Sequence, residues 1–153
     1  MVGSVVIRQA VLEDLAGVVR LLAQLNPAWS EQDVDEPVSA RFERTWARIL
    51  SQNGRVVLVA EGAGQLVATL DVIVLEVLTD GAAPSAVVMN LVVDRLHRGT
   101  GVGRLVMEAA ISHARRARCA WVELSSSKER VRTHRFYRSL GFEAQAEGFR
   151  LRL

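Results

Sequence analysis

The chain has 153 residues, half of them hydrophobic, and a net charge of +2. This length and composition predict a single globular domain, 1–153, with a sizeable core, and they exclude a disordered protein. The single cysteine, Cys119, excludes an intrachain disulfide and a metal cluster built from cysteines of one chain. We see no export signal and no apolar segment long enough to span a bilayer, so we expect a cytoplasmic protein without membrane association.

Charge is distributed unevenly along the chain. Residues 1–94 contain six arginines and twelve acidic residues, a net charge of −6, whereas residues 95–138 contain eleven basic and three acidic residues, a net charge of +8. A basic block of this size favours binding of an anion, either nucleic acid or a phosphorylated small molecule. The block contains only three aromatic residues, Trp121, Phe136 and Tyr137, and no groove-binding motif, so we expect no nucleic-acid partner.

The first third of the chain predicts one strand and two helices. β-Branched residues at 5–9 predict the strand. Apolar residues at helical spacing from Leu15 to Leu25 predict the first helix, which Asn26 and Pro27 end. The acidic segment 33–39 contains a proline and is predicted to be a loop. A second helix follows, with Phe42 and Trp46 on its apolar face, and ends at Asn53 and Gly54.

The remaining elements are mostly strands, with two further helices. Strands 55–61 and 66–77 are predicted to form a hairpin joined by residues 62–65. A loop at 79–85, a strand at 86–94 and a helix from Val102 to Ala117 follow. The last predicted elements are a strand at 120–125, a helix at 128–140 and two short strands within 142–153. This order predicts an α/β (α+β) fold, in which about four helices flank a mixed, mostly antiparallel central sheet.

Three glycines at alternate positions, Gly99, Gly101 and Gly103, lie between the third long strand and the strongest predicted helix, with Arg98 and Arg104 on either side. The first N–H groups of a helix have no intrahelical partner and carry partial positive charge, and missing side chains let phosphate oxygens approach them. One glycine usually suffices for a tight turn, so three favour a phosphate or pyrophosphate site. The spacing excludes the ATP-binding loop and the dinucleotide fingerprint, which would need a lysine after the glycines or a glycine at 104.

These residues resemble the GNAT family of N-acetyltransferases. The family's R/Q-x-x-G-x-G/A motif resembles residues 98–103, RGTGVG. The segment that follows this motif in the family resembles residues 135–142, RFYRSLGF. The family's opening segment resembles residues 7–15, IRQAVLEDL. The resemblance implies the GNAT-like acyl-CoA N-acyltransferase fold, with acetyl-coenzyme A as cosubstrate and no metal. It also implies acetyl transfer to a primary amine by direct attack in a ternary complex.

The resemblance also implies roles for individual residues. Tyr137, the only tyrosine, occupies the general-acid position, and the backbone N–H of Val92 is the expected oxyanion donor. The pyrophosphate would lie on the backbone of 98–104, and the pantetheine arm would pair with the strand 89–93, chiefly at Leu91 and Val93. The implied cofactor-binding residues are Leu91, Val92, Val93, Arg98, Gly99, Thr100, Gly101, Val102, Gly103, Arg104, Arg130, Phe136 and Tyr137.

The chain departs from the family pattern at the general base. Many members have a carboxylate on the strand that corresponds to 86–94, one residue before an Asn or Asp, and here that position is Met89, followed by Asn90. Asn90 can orient a water but cannot accept a proton at neutral pH. Glu76, Glu123 and solvent remain as alternative proton acceptors. The departure also favours an alternative function, a non-catalytic acyl-CoA-binding or regulatory domain with the same fold.

The acceptor amine is not identified by the sequence. We expect its specificity to come from the first two helices, the segment 26–37 and the loop 79–85. An acidic cluster of Glu31, Asp33, Asp35 and Glu36 either attracts a cationic amine or forms a solvated loop. The acceptor is a small molecule or a peptide, and a homodimer is expected only by analogy with the family.

Overall fold

A computed structural model describes residues 4–25 and 39–153. Residue contacts divide the chain into two compact units, Met1–Glu123 and Leu124–Leu153. The predicted helix end at Asn26 and Pro27, most of the predicted loop at 33–39 and the acidic cluster at 31–36 lie outside the described residues.

The described residues form five strands and four α-helices. In chain order these are β1 Val5–Gln9, α1 Leu15–Leu22, α2 Ala40–Ser51, β2 Arg55–Gly62, β3 Gln65–Leu75, β4 Ser85–Val93, α3 Val102–Arg116, β5 Trp121–Leu124 and α4 Val131–Ser139. The sheet order is β1-β2-β3-β4-β5, and the first four strands pair antiparallel. Helix α3 connects β4 to its neighbour β5, the kind of crossover that a parallel pair requires. The predicted mixed, mostly antiparallel sheet is confirmed.

The sheet is covered on both faces. One face packs against α1 and α2 in an apolar cluster, whose buried members are Val18, Leu21, Trp46, Val57, Val59, Leu66 and Val92. Alternate residues of the same strands point to the other face. Leu70 and Val72 on that face are fully buried, as are Val102, Val106 and Met107 of α3, which packs against β3 and β4. Burial on both faces explains the nearly continuous apolar runs of β2 and β3.

The strand pair predicted near the carboxyl end is wrong, and several predicted ends differ from the structure: α1 ends at Leu22 rather than at Leu25, and β3 ends at Leu75 rather than at 77. No strand forms within 142–153, although its alternating apolar residues have strand periodicity. A strand needs a hydrogen-bonding partner, and this segment has none in a sheet; Phe149, Leu151 and Leu153 are all highly exposed. Helix α4 begins at Val131 rather than at 128, because Arg130 has non-helical backbone angles.

Across residues 4–25 and 39–153, no helix is long and apolar enough to cross a membrane. The same part of the chain contains no group of three or more His, Cys, Asp or Glu side chains that could hold a metal ion.

Candidate active site

The glycine turn links β4 to α3. Two of its three glycines need the conformational freedom of glycine: Gly99 has φ +77° and Gly101, the N-cap of α3, has φ +92°. A Cβ at either position would meet no heavy atom of the described residues within 4 Å. The outer side of the turn is therefore open, and a ligand can approach the backbone closely. Gly103 lies in the first turn of α3.

The amino end of α3 presents backbone donors at this turn. The first intrahelical hydrogen bond runs from the Leu105 N–H to the Gly101 carbonyl oxygen, at 3.1 Å. The N–H groups of Val102 and Gly103 precede that bond, so they have no acceptor within the helix and carry partial positive charge. An anion with several oxygens, such as a pyrophosphate, suits this arrangement.

The two arginines beside the glycines are engaged with the protein. Arg98 Nε donates to the carbonyl oxygen of Val93 at 3.1 Å, and its Nη2 lies 3.5 Å from Gln24 Oε1. Arg104 pairs with Glu108 one helical turn later, at 3.7 Å. Arg98 thus holds the turn against the end of β4 and against Gln24, which follows α1, while the backbone supplies the donors for an anion.

Asp94, at the start of the turn, is a structural residue that sequence reasoning missed. Its carboxylate accepts hydrogen bonds from the Leu96 N–H at 2.9 Å, from Arg20 Nη1 at 3.0 Å and from Gln24 Nε2 at 3.0 Å. Burial by itself raises the pKa of Asp94, but these donors outweigh it and lower the pKa to about 2. Asp94 is therefore ionised at neutral pH and ties the turn to α1.

A β-bulge interrupts β4 just before the glycine turn. Thr69 of β3 pairs with Val92, but Asp71 pairs with Met89, so Asn90 and Leu91 together lie opposite one residue, Leu70. Asn90 has φ +56°, in the left-handed region. Because the extra residue changes the side-chain alternation, Met89 and Val92 both point to the face covered by α1 and α2.

A buried carboxylate lies beside the bulge. Asp71 is directly opposite Met89, and its side chain is 9% exposed. Arg55 Nη2 donates a hydrogen bond to Asp71 Oδ2, and Asn90 Nδ2 donates to the same oxygen at 3.3 Å. Sequence reasoning missed this cluster. The one available signal was an aspartate in the middle of the apolar run of β3.

In the second unit, Tyr137 lies on α4 between two aromatic rings. Its ring centroid is 5.5 Å from that of Phe136 and 6.0 Å from that of Phe142, which meets it edge-on. Burial raises the pKa of Tyr137 above its ordinary value of 10.0, and the charge of Arg130, the N-cap residue of α4, partly offsets this rise. The phenol is therefore protonated at neutral pH and can act there only as a proton donor.

The acetyltransferase (GNAT) family model matches residues 18–142, most of the chain. The chain belongs to the acetyltransferase (GNAT) family. It is accordingly an N-acetyltransferase, and the family generally uses acetyl-coenzyme A. Residues 98–103, which resemble the family's glycine motif, lie at the open turn before α3.

Solved structures agree with this family assignment. The chain is 33% identical to a protein of Agrobacterium tumefaciens str. C58 that carries a provisional acetyltransferase name, with a TM-score of 0.88 over 97% of this chain and 99% of that one. A transcriptional regulator from Bacillus halodurans C-125 is 26% identical, with a TM-score of 0.88 over 98% and 100%. Glucosamine-6-phosphate N-acetyltransferase from Arabidopsis thaliana is 24% identical and shares the fold, with a TM-score of 0.83 over 97% and 98%. No curated protein matches the chain.

Met89, where the chain departs from the GNAT pattern, lies on β4 immediately before the bulge. Met89 is 46% exposed, and the carboxylate directly across the β3–β4 pair is Asp71. The two sequence candidates for the base, Glu76 and Glu123, are exposed, and both lie outside the bulged part of β4. Val92 is buried in the core, while Leu91 and Val93 are half-buried.

Proposed function

We propose that this protein transfers an acetyl group from acetyl-coenzyme A to a primary amine by direct attack in a ternary complex. The observation that carries the proposal is the sequence of features along one connection: a bulged strand, an open turn with two left-handed glycines, and a helix amino end whose first N–H groups precede the helical hydrogen bonds. Together they supply donors for a pyrophosphate and, immediately before them, an extended backbone for an amide-rich arm.

We assign the cofactor contacts accordingly. The backbone of 98–104 receives the pyrophosphate, and the main chain of Leu91 and Val93 pairs with the pantetheine arm. Arg130 and Phe136 are further proposed cofactor contacts. The excess of basic residues at 95–138 supports this assignment, because coenzyme A carries several phosphate charges.

The proposed chemistry follows from the charge that develops in acyl transfer. The amine first loses a proton to a water oriented by Asn90. Its nitrogen then attacks the carbonyl carbon, and the Val92 N–H stabilises the negative charge on oxygen. Collapse breaks the C–S bond, the departing thiolate takes the proton of Tyr137, and the proton released from nitrogen reprotonates the phenolate through solvent.

The acceptor is a small-molecule or peptide amine, and we propose a homodimer as the assembly and the cytoplasm as the location. A non-catalytic acyl-CoA-binding domain is the second candidate, favoured by the lack of a carboxylate at Met89. One measurement distinguishes the two functions: an acetyltransferase releases free coenzyme A thiol in the presence of an acceptor amine, and a non-catalytic domain does not.

The first experiment is a calorimetric titration of acetyl-coenzyme A into the wild type and into Gly101→Asp. The substitution would place a side chain and a negative charge where the pyrophosphate is proposed to lie. We expect micromolar binding to the wild type and none to the variant. If the wild type does not bind, the proposal is wrong. If it binds but releases no thiol with any of a broad panel of amines, the non-catalytic function is correct.

A further inference from the structure

A polar cluster connects three strands: the side chains of Arg55 and Asp71 are largely buried, whereas Asn90 is exposed. Arg55 of β2, Asp71 of β3 and Asn90 of β4 meet at one oxygen, Asp71 Oδ2. Removing a carboxylate and a guanidinium from water is costly unless both are hydrogen-bonded. Apolar residues would pack this part of the sheet at lower cost, so the cluster calls for an explanation beyond stability.

Asn90 is the member of the cluster with a strained backbone. Its φ of +56° is uncommon for residues other than glycine, although asparagine tolerates it better than most. The conformation creates the bulge, and the bulge sets the direction of the next three residues. With regular pairing, Val92 would point to the face covered by α3; with the extra residue it enters the opposite core, with Val18 and Leu21.

The side-chain amide of Asn90 is anchored from the neighbouring strand. Nδ2 donates to Asp71 Oδ2 at 3.3 Å, and Arg55 holds the same carboxylate from the other side. Asp71 itself is in regular pairing with Val57 of β2 and with Met89 of β4. A rigid strand therefore holds the one residue of β4 whose backbone departs from the strand conformation.

We propose that Asp71 is a positioning residue that acts through Asn90: it fixes the bulge and so aligns the main chain of 91–93 for the pantetheine arm and the acetyl carbonyl. This inference rests on the proposed function, since it assumes that 91–93 binds acetyl-coenzyme A. The alternative role for Asp71 is to accept the proton of the amine itself. Asp71 lies on β3, directly beside the strand that carries Met89.

The geometry of the cluster separates the two roles. Both hydrogen bonds end on one oxygen, so the amide oxygen of Asp71→Asn can accept both, whereas it cannot take the amine's proton at neutral pH. Asp71→Leu removes the acceptor at similar volume. Asn90→Gly removes the amide but adopts a positive φ without strain, whereas Asn90→Ala removes the amide and retains the strain.

The test measures the dissociation constant of acetyl-coenzyme A by calorimetry, with thermal unfolding to confirm that each variant is folded. We expect Asp71→Leu to bind at least about ten-fold more weakly than Asp71→Asn, and Asn90→Ala at least about ten-fold more weakly than Asn90→Gly. Adding Asn90→Gly to Asp71→Leu should restore affinity without restoring thermal stability. Ten-fold corresponds to about 1.4 kcal/mol, the order of cost of one left-handed residue.

The opposite pattern would overturn the proposal. If Asp71→Asn and Asp71→Leu both bind acetyl-coenzyme A as the wild type does, and both lose turnover equally, Asp71 is the proton acceptor. If Asp71→Leu does not fold, the comparison of Asn90→Ala with Asn90→Gly decides whether the bulge conformation sets affinity. Failure of the proposed function is separate, because then the wild type itself does not bind.

Discussion

Gly99, in the turn before α3, and Gly64, in the β2–β3 hairpin, have nearly the same backbone φ, +77° and +76°. A Cβ at either position would point into open space among the described residues. Alanine should therefore destabilise the fold by a similar amount at both sites, about 1–2 kcal/mol. We predict that only Gly99→Ala also weakens acetyl-coenzyme A binding, because only there does the methyl group cover backbone donors.

Urea unfolding and calorimetry of the two glycine variants check this prediction. Gly64→Ala is the matched control for backbone strain. Equal affinity of both variants for acetyl-coenzyme A would show that the turn does not bind the cofactor.

Asp94 should make stability depend on pH in the acid range. Its pKa is about 2 in the folded protein, lowered from the ordinary value of 3.8. A carboxyl group with a lowered folded pKa contributes stability above its unfolded pKa and loses it as pH falls toward the folded pKa. The free energy of unfolding of the wild type should therefore exceed that of Asp94→Asn at neutral pH, and the difference should shrink between about pH 4 and pH 2. Urea titrations at a series of pH values measure it, and a difference that stays constant would contradict the assignment.

Tyr137→Phe should lower kcat about 100-fold and change the affinity for acetyl-coenzyme A by less than about two-fold, since general-acid groups typically contribute at least this much. Because burial raises the pKa of Tyr137, the loss should be uniform from about pH 6 to pH 9, where the phenol stays protonated. Phe142→Leu is the control for packing, as it removes the ring that meets Tyr137 edge-on. An equal loss of kcat in both variants would mean that the ring acts through packing and not through its proton.

Arg98→Met should weaken the binding of acetyl-coenzyme A at both low and high salt concentration. Arg98 holds the turn through Val93 and Gln24, so its loss displaces the backbone donors as well as removing a charge. Arg115→Met, which removes an equal charge in the last turn of α3, should have a small effect that disappears at about 0.5 M salt. Calorimetry at low and high salt distinguishes the two, and matching salt dependence would show that Arg98 acts only as a charge.

Local sequence patterns predicted most of the elements because their signals are short-range. The 3.6-residue spacing from Val102 onward predicted α3, and the turn residues between β2 and β3 predicted the hairpin, which closes through Ala63 and Gly64, both with positive φ. The alternation in 149–153 is also a strand pattern, but it predicted wrongly, because the pattern cannot show whether a partner strand is available.

The family, the glycine turn and the candidate acid Tyr137 could be predicted from short sequence patterns, since each pattern depends on residues close together in the chain. The bulge at Asn90, the position of Asp71 opposite Met89 and the attachment of the turn to α1 through Asp94 were decided only by tertiary structure. Each of these depends on the register of paired strands or on contacts between residues far apart in sequence, and a one-residue shift in register would move the side chains to the opposite face of the sheet.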